Sequence, residues 1–319
     1  MLLEAGYIGY SAHKLTGLVD VNPFVLGTNS RLYGNSNFSY LAEFQNIGKA
    51  SYNALEVNLQ RRNTSMGKLG SSFFTVGYTL GHEIDNSSGF RERNSAVPAY
   101  NHDLFRASGD TDVRHTFVLS GGWDLPFDHL WESGPKVLTK GWSLYPIVTA
   151  NTGFPLDVGA GLNTSGSRSG PSGAGDAGLV RADLAGQIVL LNPGNTQTFN
   201  NPSAGASSSG NYWFNPADFS ITRLVALNKV PGNLLTTPTY GSFPRNALRG
   251  PGRVNTDLSI SKHFTIREGV ILELKGDAFN LFNNVQFKNP DTTVSDPTFG
   301  QISTTYDARI LQVALHLRF

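Results

Sequence analysis

The chain has 319 residues, with 25 Lys and Arg against 24 Asp and Glu, 39% hydrophobic residues and no cysteine. That length suffices for a sizeable core, the near-zero net charge gives no general attraction to nucleic acid, and the lack of Cys excludes disulfide frameworks, Cys-zinc sites and thiol nucleophiles. Charged residues are only 15% of the chain, well under the roughly 25% of ordinary soluble domains, while 35 positions are glycine and 11% aromatic; this is the composition of a β-rich protein with large polar loops.

The recurrent pattern has period 2, the signature of strands whose side chains alternate between two faces. Leu3, Ala5 and Tyr7 open a first strand predicted over 2–10. A second, over 39–62, sets Leu55, Val57 and Leu59 against Glu56, Asn58 and Gln60; its length predicts a bulge or break around Asn46-Ile47-Gly48. Over 70–82, Phe74, Val76, Tyr78 and Leu80 oppose Thr75, Gly77 and Thr79. Over 112–125, His115, Phe117, Leu119, Trp123 and Leu125 oppose Arg114, Thr116, Ser120 and Asp124. Residues 141–158 alternate less cleanly, with Trp142, Leu144 and Val148 on one face. Over 253–264, Val254, Thr256, Leu258, Ile260 and Phe264 oppose Asn255, Asp257, Ser259, Ser261 and His263. Over 269–281, Val270, Leu272, Leu274 and Ala278 oppose Glu273, Lys275 and Asp277. The last strand, over 309–319, sets Leu311, Val313, Leu315, Leu317 and Phe319 against Gln312, Ala314, His316 and Arg318.

The predicted connections alternate in length. Those at 63–69, 126–140 and 265–268 are short, and those at 11–38, 83–111, 159–252 and 282–308 are long. Sorting of loop length by side marks an outer-membrane barrel, with short periplasmic turns and long extracellular loops; a soluble antiparallel sandwich explains the alternation but not the sorting. The fold class expected is all-β, an antiparallel transmembrane β-barrel portion of about eight strands. Strands crossing lipid satisfy every backbone polar group by closing on one another, so apolar positions meet outer-membrane lipid and polar positions a wet lumen. A Lys or Arg at the lipid midplane costs about 2–4 kcal/mol, which assigns Glu273, Lys275, Asp277, His316 and Arg318 to the lumen. Tyr7, Tyr78, Trp123, Trp142, Phe264 and Phe319 suit aromatic girdles. The segment 159–252, with Gly159-Ala160-Gly161, Gly166, Gly170-Pro171, Gly173, Gly175 and Ser207-Ser208-Ser209-Gly210, reads as a water-exposed loop that Leu184 and Ile188 to Leu191 could partly order. The chain has no run of 18 apolar residues. Its start lacks the basic and apolar regions of a signal peptide, so an exported form is expected to be part of something longer.

Several motifs run in order along the chain. They are Leu3-Glu4-Ala5-Gly6-Tyr7-Ile8-Gly9; Ser51-Tyr52-Asn53-Ala54-Leu55-Glu56-Val57 followed by Arg61-Arg62; Tyr78-Thr79-Leu80-Gly81-His82-Glu83-Ile84-Asp85; and Asp112-Val113-Arg114-His115 with Leu125-Pro126-Phe127. Further along come Trp213-Phe214-Asn215-Pro216-Ala217-Asp218-Phe219, Arg245-Asn246 with Leu248-Arg249-Gly250-Pro251-Gly252, Phe279-Asn280-Leu281-Phe282-Asn283, and Phe299-Gly300-Gln301-Ile302. Together they resemble the C-terminal barrel of TonB-dependent receptors of the Oar-like group, which carry an N-terminal carboxypeptidase-regulatory-like domain. Gly81-His82 departs from the Ser-Lys of that group. The resemblance implies a bacterial outer-membrane receptor that moves a ligand inward with energy delivered through TonB. These residues contain neither plug nor evident TonB box, and such barrels have roughly 22 strands. The whole of 1–319 is therefore expected to be the C-terminal part of a larger barrel, meeting the TonB complex only through an N-terminal portion. The alternative is a small closed barrel of eight strands, an adhesin-like or structural module displaying its loops.

Chemistry is sparsely signalled. The histidines His13, His82, His102, His115, His129, His263 and His316 show no metal-ligand spacing. His102-Asp103 and Asp110-Thr111-Asp112 share one loop that suits Ca²⁺ in ligand type, yet read more simply as a solvated approach to a strand. No P-loop or nucleophile elbow is present. The expectation is no enzyme activity, no cofactor, no metal and no nucleic-acid partner. Leu311, Val313, Leu315, Leu317 and Phe319 resemble the terminal signal read by the barrel-assembly machinery, since a free strand edge templates pairing with another edge. Deleting Phe319 is expected to remove most of the heat-modifiable protein from outer-membrane fractions; unchanged levels on semi-native gels would refute the signal.

Overall fold

The computed structural model describes residues 1–22, 30–34, 41–88, 101–160, 181–201, 205–228 and 241–319. Eight long strands form one sheet: β1 (Leu2–Asp20), β2 (Ala42–Ser65), β3 (Ser71–Asp85), β4 (His115–Leu125), β5 (Trp142–Asn151), β6 (Arg253–Arg267), β7 (Val270–Phe279) and β8 (Ile310–Arg318). They pair in chain order, each antiparallel to the next, and the two-residue strand Ala107–Ser108 joins the end of β3. Among the described residues β1 and β8 do not pair, so they form the two edges of an open sheet.

Partners facing each other across an antiparallel pair share a face, so the registers can be followed as rows. One row runs Val57, Tyr78, Phe117, Ala150, Val254. Another runs Trp123, Leu144, Ile260, Gly276, Val313. The opposite face carries Gln60, Thr75, Ser120, Ile147, Asp257 and, lower down, Asp124, Ser143, Ser261, Lys275. The alternation of every strand is therefore in phase with its neighbours, giving one continuous apolar face and one polar face with few apolar interruptions. The β4–β5 ladder omits Gly121 and Gly122, next to Pro146, which has no N–H to donate, but the register is the same on either side.

β1 and β3 are longer than the sequence pattern predicts, whereas β2 has the predicted length and lies three residues further along. Below the row Tyr7, Leu55, Leu80, His115 all four strands are paired; above it β4 has ended, while β1, β2 and β3 continue. Residues 11–20, expected in a loop, complete β1 and form a ribbon with β2. The irregularity predicted near Asn46-Ile47-Gly48 is present and is matched by one in β1. Lys14 is an extra residue between His13 and Leu15 at φ 58°, and Asn46 with Ile47 oppose Thr16 alone. The two bulges offset each other and restore the register.

The short turns lie at one end of the sheet: 66–70, 126–141 and 268–269. The middle one contains single helical turns, Phe127–Leu130 and Lys136–Thr139. At the other end, the long connections fold. Expected to be water-exposed, 159–252 instead supplies Ala182, Phe214, Phe219, Phe243 and Leu248 to a core that includes Val158 and, from the β7–β8 connection, Val294 and Phe299. Phe214, Phe219 and Phe299 meet edge-to-face with centroids 5.2–5.5 Å apart. Ile188 packs against this core, whereas Leu184, Val189 and Leu190 are exposed. Gly161, Gly166, Gly170-Pro171, Gly173 and Gly175 lie outside the described residues.

Gly70 closes the β2–β3 turn at φ 83°, ψ −154°, where an added Cβ would lie 2.0 Å from the Asp124 carbonyl oxygen. Gly67, at φ 63°, has open space around it. Gly70→Ala should therefore cost about 1–3 kcal/mol and more than Gly67→Ala; urea unfolding in liposomes gives the comparison, and equal midpoints would contradict it.

Candidate functional site at the loop end

The loop core is tied to the sheet by a network of ion pairs and hydrogen bonds, in which the Asp85 and Asp112 carboxylates are buried. Arg245 donates to Asp85 at 2.6 Å, to Asp110 at 3.0 Å and to the Ser88 hydroxyl at 2.6 Å. Asn246, held at φ 55°, donates to Asp110 at 2.6 Å and to the Ser108 carbonyl at 2.8 Å. Arg249 bonds the Asp112 carboxylate and, at 2.7 Å, the Asp112 carbonyl. Asp112 also accepts the Glu83 N–H at 2.8 Å and lies 3.2 Å from His82. Trp213 donates to the Arg249 carbonyl at 2.7 Å. Asp103 pairs with Lys49 at 2.6 Å. The acidic residues considered for Ca²⁺ are thus engaged by Lys49, Arg245 and Arg249.

The folded long connections form a roof at this end, and between its β7–β8 part and the polar face of β4–β6 is a cleft of about 730 Å³, within the usual range for small-molecule sites. Its floor includes Thr116, Val118 and Thr149, and its walls Phe154, Arg253, Phe287, Lys288, Asn289 and Tyr306. A ribbon from the β7–β8 connection forms one wall, since Tyr306 N–H donates to Gln286 and Lys288 N–H to Thr304. The ribbon is fastened to β6 by Arg253, which donates through Nε to Gln286, and by Gln286, which donates to Asn255 at 3.0 Å. Arg253 stacks 4.4 Å from the Tyr306 ring centroid, with Lys288 Nζ at 5.4 Å.

The residues singled out from sequence lie elsewhere. Glu273, Lys275 and Asp277 share the polar face with His316 and Arg318 toward the short-turn end. Glu273 pairs with Arg318 at 2.9 Å and His263 at 3.2 Å, and Lys275 with Asp277 at 3.0 Å. Leu311, Val313, Leu315 and Leu317 occupy the apolar face of β8, and they and Phe319 are all exposed. Trp123, Trp142 and Phe264 gather near the short-turn rim, where Phe127 meets Trp142 edge-on; Tyr7 and Tyr78 lie nearer the loop end. The cleft residues Arg253, Lys288 and Tyr306 carried no signal of their own. They belong to segments that only the loop fold brings together, although Arg253 directly follows the Arg249-Gly250-Pro251-Gly252 motif.

The sequence matches the outer membrane beta barrel domain family over residues 1–312. The chain belongs to this family. Its place is the bacterial outer membrane, and the apolar face of the barrel domain is accordingly the one turned to lipid. None of the curated proteins searched matches the sequence. Among solved structures, the barrel domain is similar to the outer membrane transporter YddB from Escherichia coli, with 10% identity and a TM-score of 0.44 over 99% of this chain; it spans 30% of that transporter's length.

Asp112 gives the roof a pH dependence. Burial pushes its carboxyl up, but the Glu83 N–H and the Arg249 guanidinium outweigh this and hold it below the usual carboxylate range. The stabilisation from the charged form is therefore complete above the unfolded value of about 4 and is lost as pH falls through the lower folded value. Asp112→Asn should loosen the roof by roughly 1.5–3 kcal/mol at neutral pH and remove this acid transition. Fluorescence of Trp213, with the other tryptophans replaced by Phe, reads both; an unaltered acid transition would discount Asp112.

Proposed function

We propose that the chain is the barrel portion of a TonB-dependent receptor of the Oar-like kind, taking up a small ligand across the outer membrane. The observation that carries this reading is the cleft between the folded loops and the polar face, where a ligand arriving from outside would first meet the lumen. The ordered motifs from Leu3 to Ile302 support it, because several of them build this arrangement: Trp213 to Phe219 and Phe299 to Ile302 in the roof core, Arg245 and Arg249 in its anchors. In this reading energy coupling belongs to an N-terminal portion, and assembly proceeds through the exposed edge of β8. The β1–β2 ribbon beyond the end of β4 favours a second reading, an adhesin-like module that displays its loops.

Deletion of the gene and deletion of tonB in the native host separate the two. The receptor reading expects the same compounds to remain unconsumed in the medium of both mutants, as measured by mass spectrometry. Surface attachment lost with no change in compound depletion would overturn it in favour of the display module.

A further inference from the structure

We infer that the cleft between Arg253 and Lys288 binds a small organic anion, a carboxylate or phosphate group carried on an apolar body. The inference rests on the receptor reading for its location and on three observations for its chemistry. First, no carboxylate lines the cleft among the described residues, although the neighbouring roof anchors pair each arginine with aspartate. Second, Arg253 and Lys288 have no acidic partner within 4 Å among the described residues. Arg253 spends its Nε on the neutral Gln286 side chain, and its two terminal amines have no protein acceptor there. An arginine held by Nε with both terminal amines available presents the fork that planar oxyanions accept bidentately. Third, both cations are set against one ring, Tyr306, at 4.4 and 5.4 Å, which fixes their positive charge on a single wall. Phe154 and Phe287 supply apolar surface in the same cleft. Cations without counter-ions beside exposed aromatic rings match a ligand with both an anionic end and an apolar end. A neutral glycan would leave both charges uncompensated.

The test uses the full chain folded in liposomes and saturation-transfer NMR with three probes: 4-hydroxyphenylacetate, its neutral amide 4-hydroxyphenylacetamide, and inorganic phosphate. The carboxylate is expected to bind about tenfold more tightly than the amide, a factor within the range of a charge-assisted pair, and also more tightly than phosphate. Arg253→Gln and Lys288→Gln should each weaken the carboxylate several-fold, while Lys136→Gln at the short-turn end leaves it unchanged. Lys288 is an exposed loop residue, so its variant keeps the test valid if Arg253→Gln fails to fold. Equal binding of carboxylate and amide, phosphate binding as tightly as the carboxylate, or Lys288→Gln binding like the parent would each overturn the inference. Because no uptake is measured, failure here leaves the receptor reading standing, and failure of TonB dependence leaves this binding result standing.

Discussion

The architecture depends on the need of backbone N–H and C=O groups for partners where no water can reach them. In a lipid setting strands meet this need by a ladder that runs from each to the next. The ladder has a second effect, because cross-strand partners share a face: once one strand is fixed apolar side outward, every neighbour is fixed with it. The row Trp123, Leu144, Ile260, Gly276, Val313 and the row Ser120, Ile147, Asp257 are consequences of one phase passed along the sheet. Pro146, with no N–H, breaks the ladder locally without shifting this phase.

The same constraint explains where the pattern stops. Alternation is enforced only where one face meets lipid and the other water. Beyond the row of Tyr7, Leu55, Leu80 and His115, β1 and β2 remain paired but their sequences, such as Ser11 to Thr16, no longer alternate. A ribbon wet on both sides has no penalty for polar residues on either, and its opposed bulges at Lys14 and at Asn46-Ile47 are accommodated there.

At the loop end, water takes over as solvent and ordinary globular packing returns. The most deeply buried aromatic residues of the described chain, Tyr212, Phe214, Phe219 and Phe299, are in the connections rather than in the sheet. A sheet lined on one side by lipid and on the other by a lumen has no interior of its own. The roof uses a hydrophobic core and ion pairs to the buried carboxylates of Asp85 and Asp112 to hold long connections in one arrangement, and Arg253 and Gln286 join it to the first residues of β6. Among the described residues this leaves the cleft with two cations and no carboxylate in its lining.

The eight strands, their order of faces and the sorting of short and long connections were legible from sequence, because lipid on one side and water on the other write a period of 2 into every crossing segment. The bulge near Asn46 was legible from length instead, since the second periodic segment is too long for one regular strand. The polar set on β7 and β8 was also visible, since three charges in one strand leave no choice of face. The roof was not legible: its core residues come from 152–252, rich in glycine and serine, and from 280–309, rich in asparagine and threonine, both without period, and their partners are chosen by packing across long separations. Nor was the cleft, because Arg253 and Lys288 are ordinary surface cations in sequence and come to face one ring, Tyr306, only when the β7–β8 ribbon folds back over the polar face. Periodic local constraints are recorded residue by residue; contacts between distant, aperiodic segments exist only once the chain has folded.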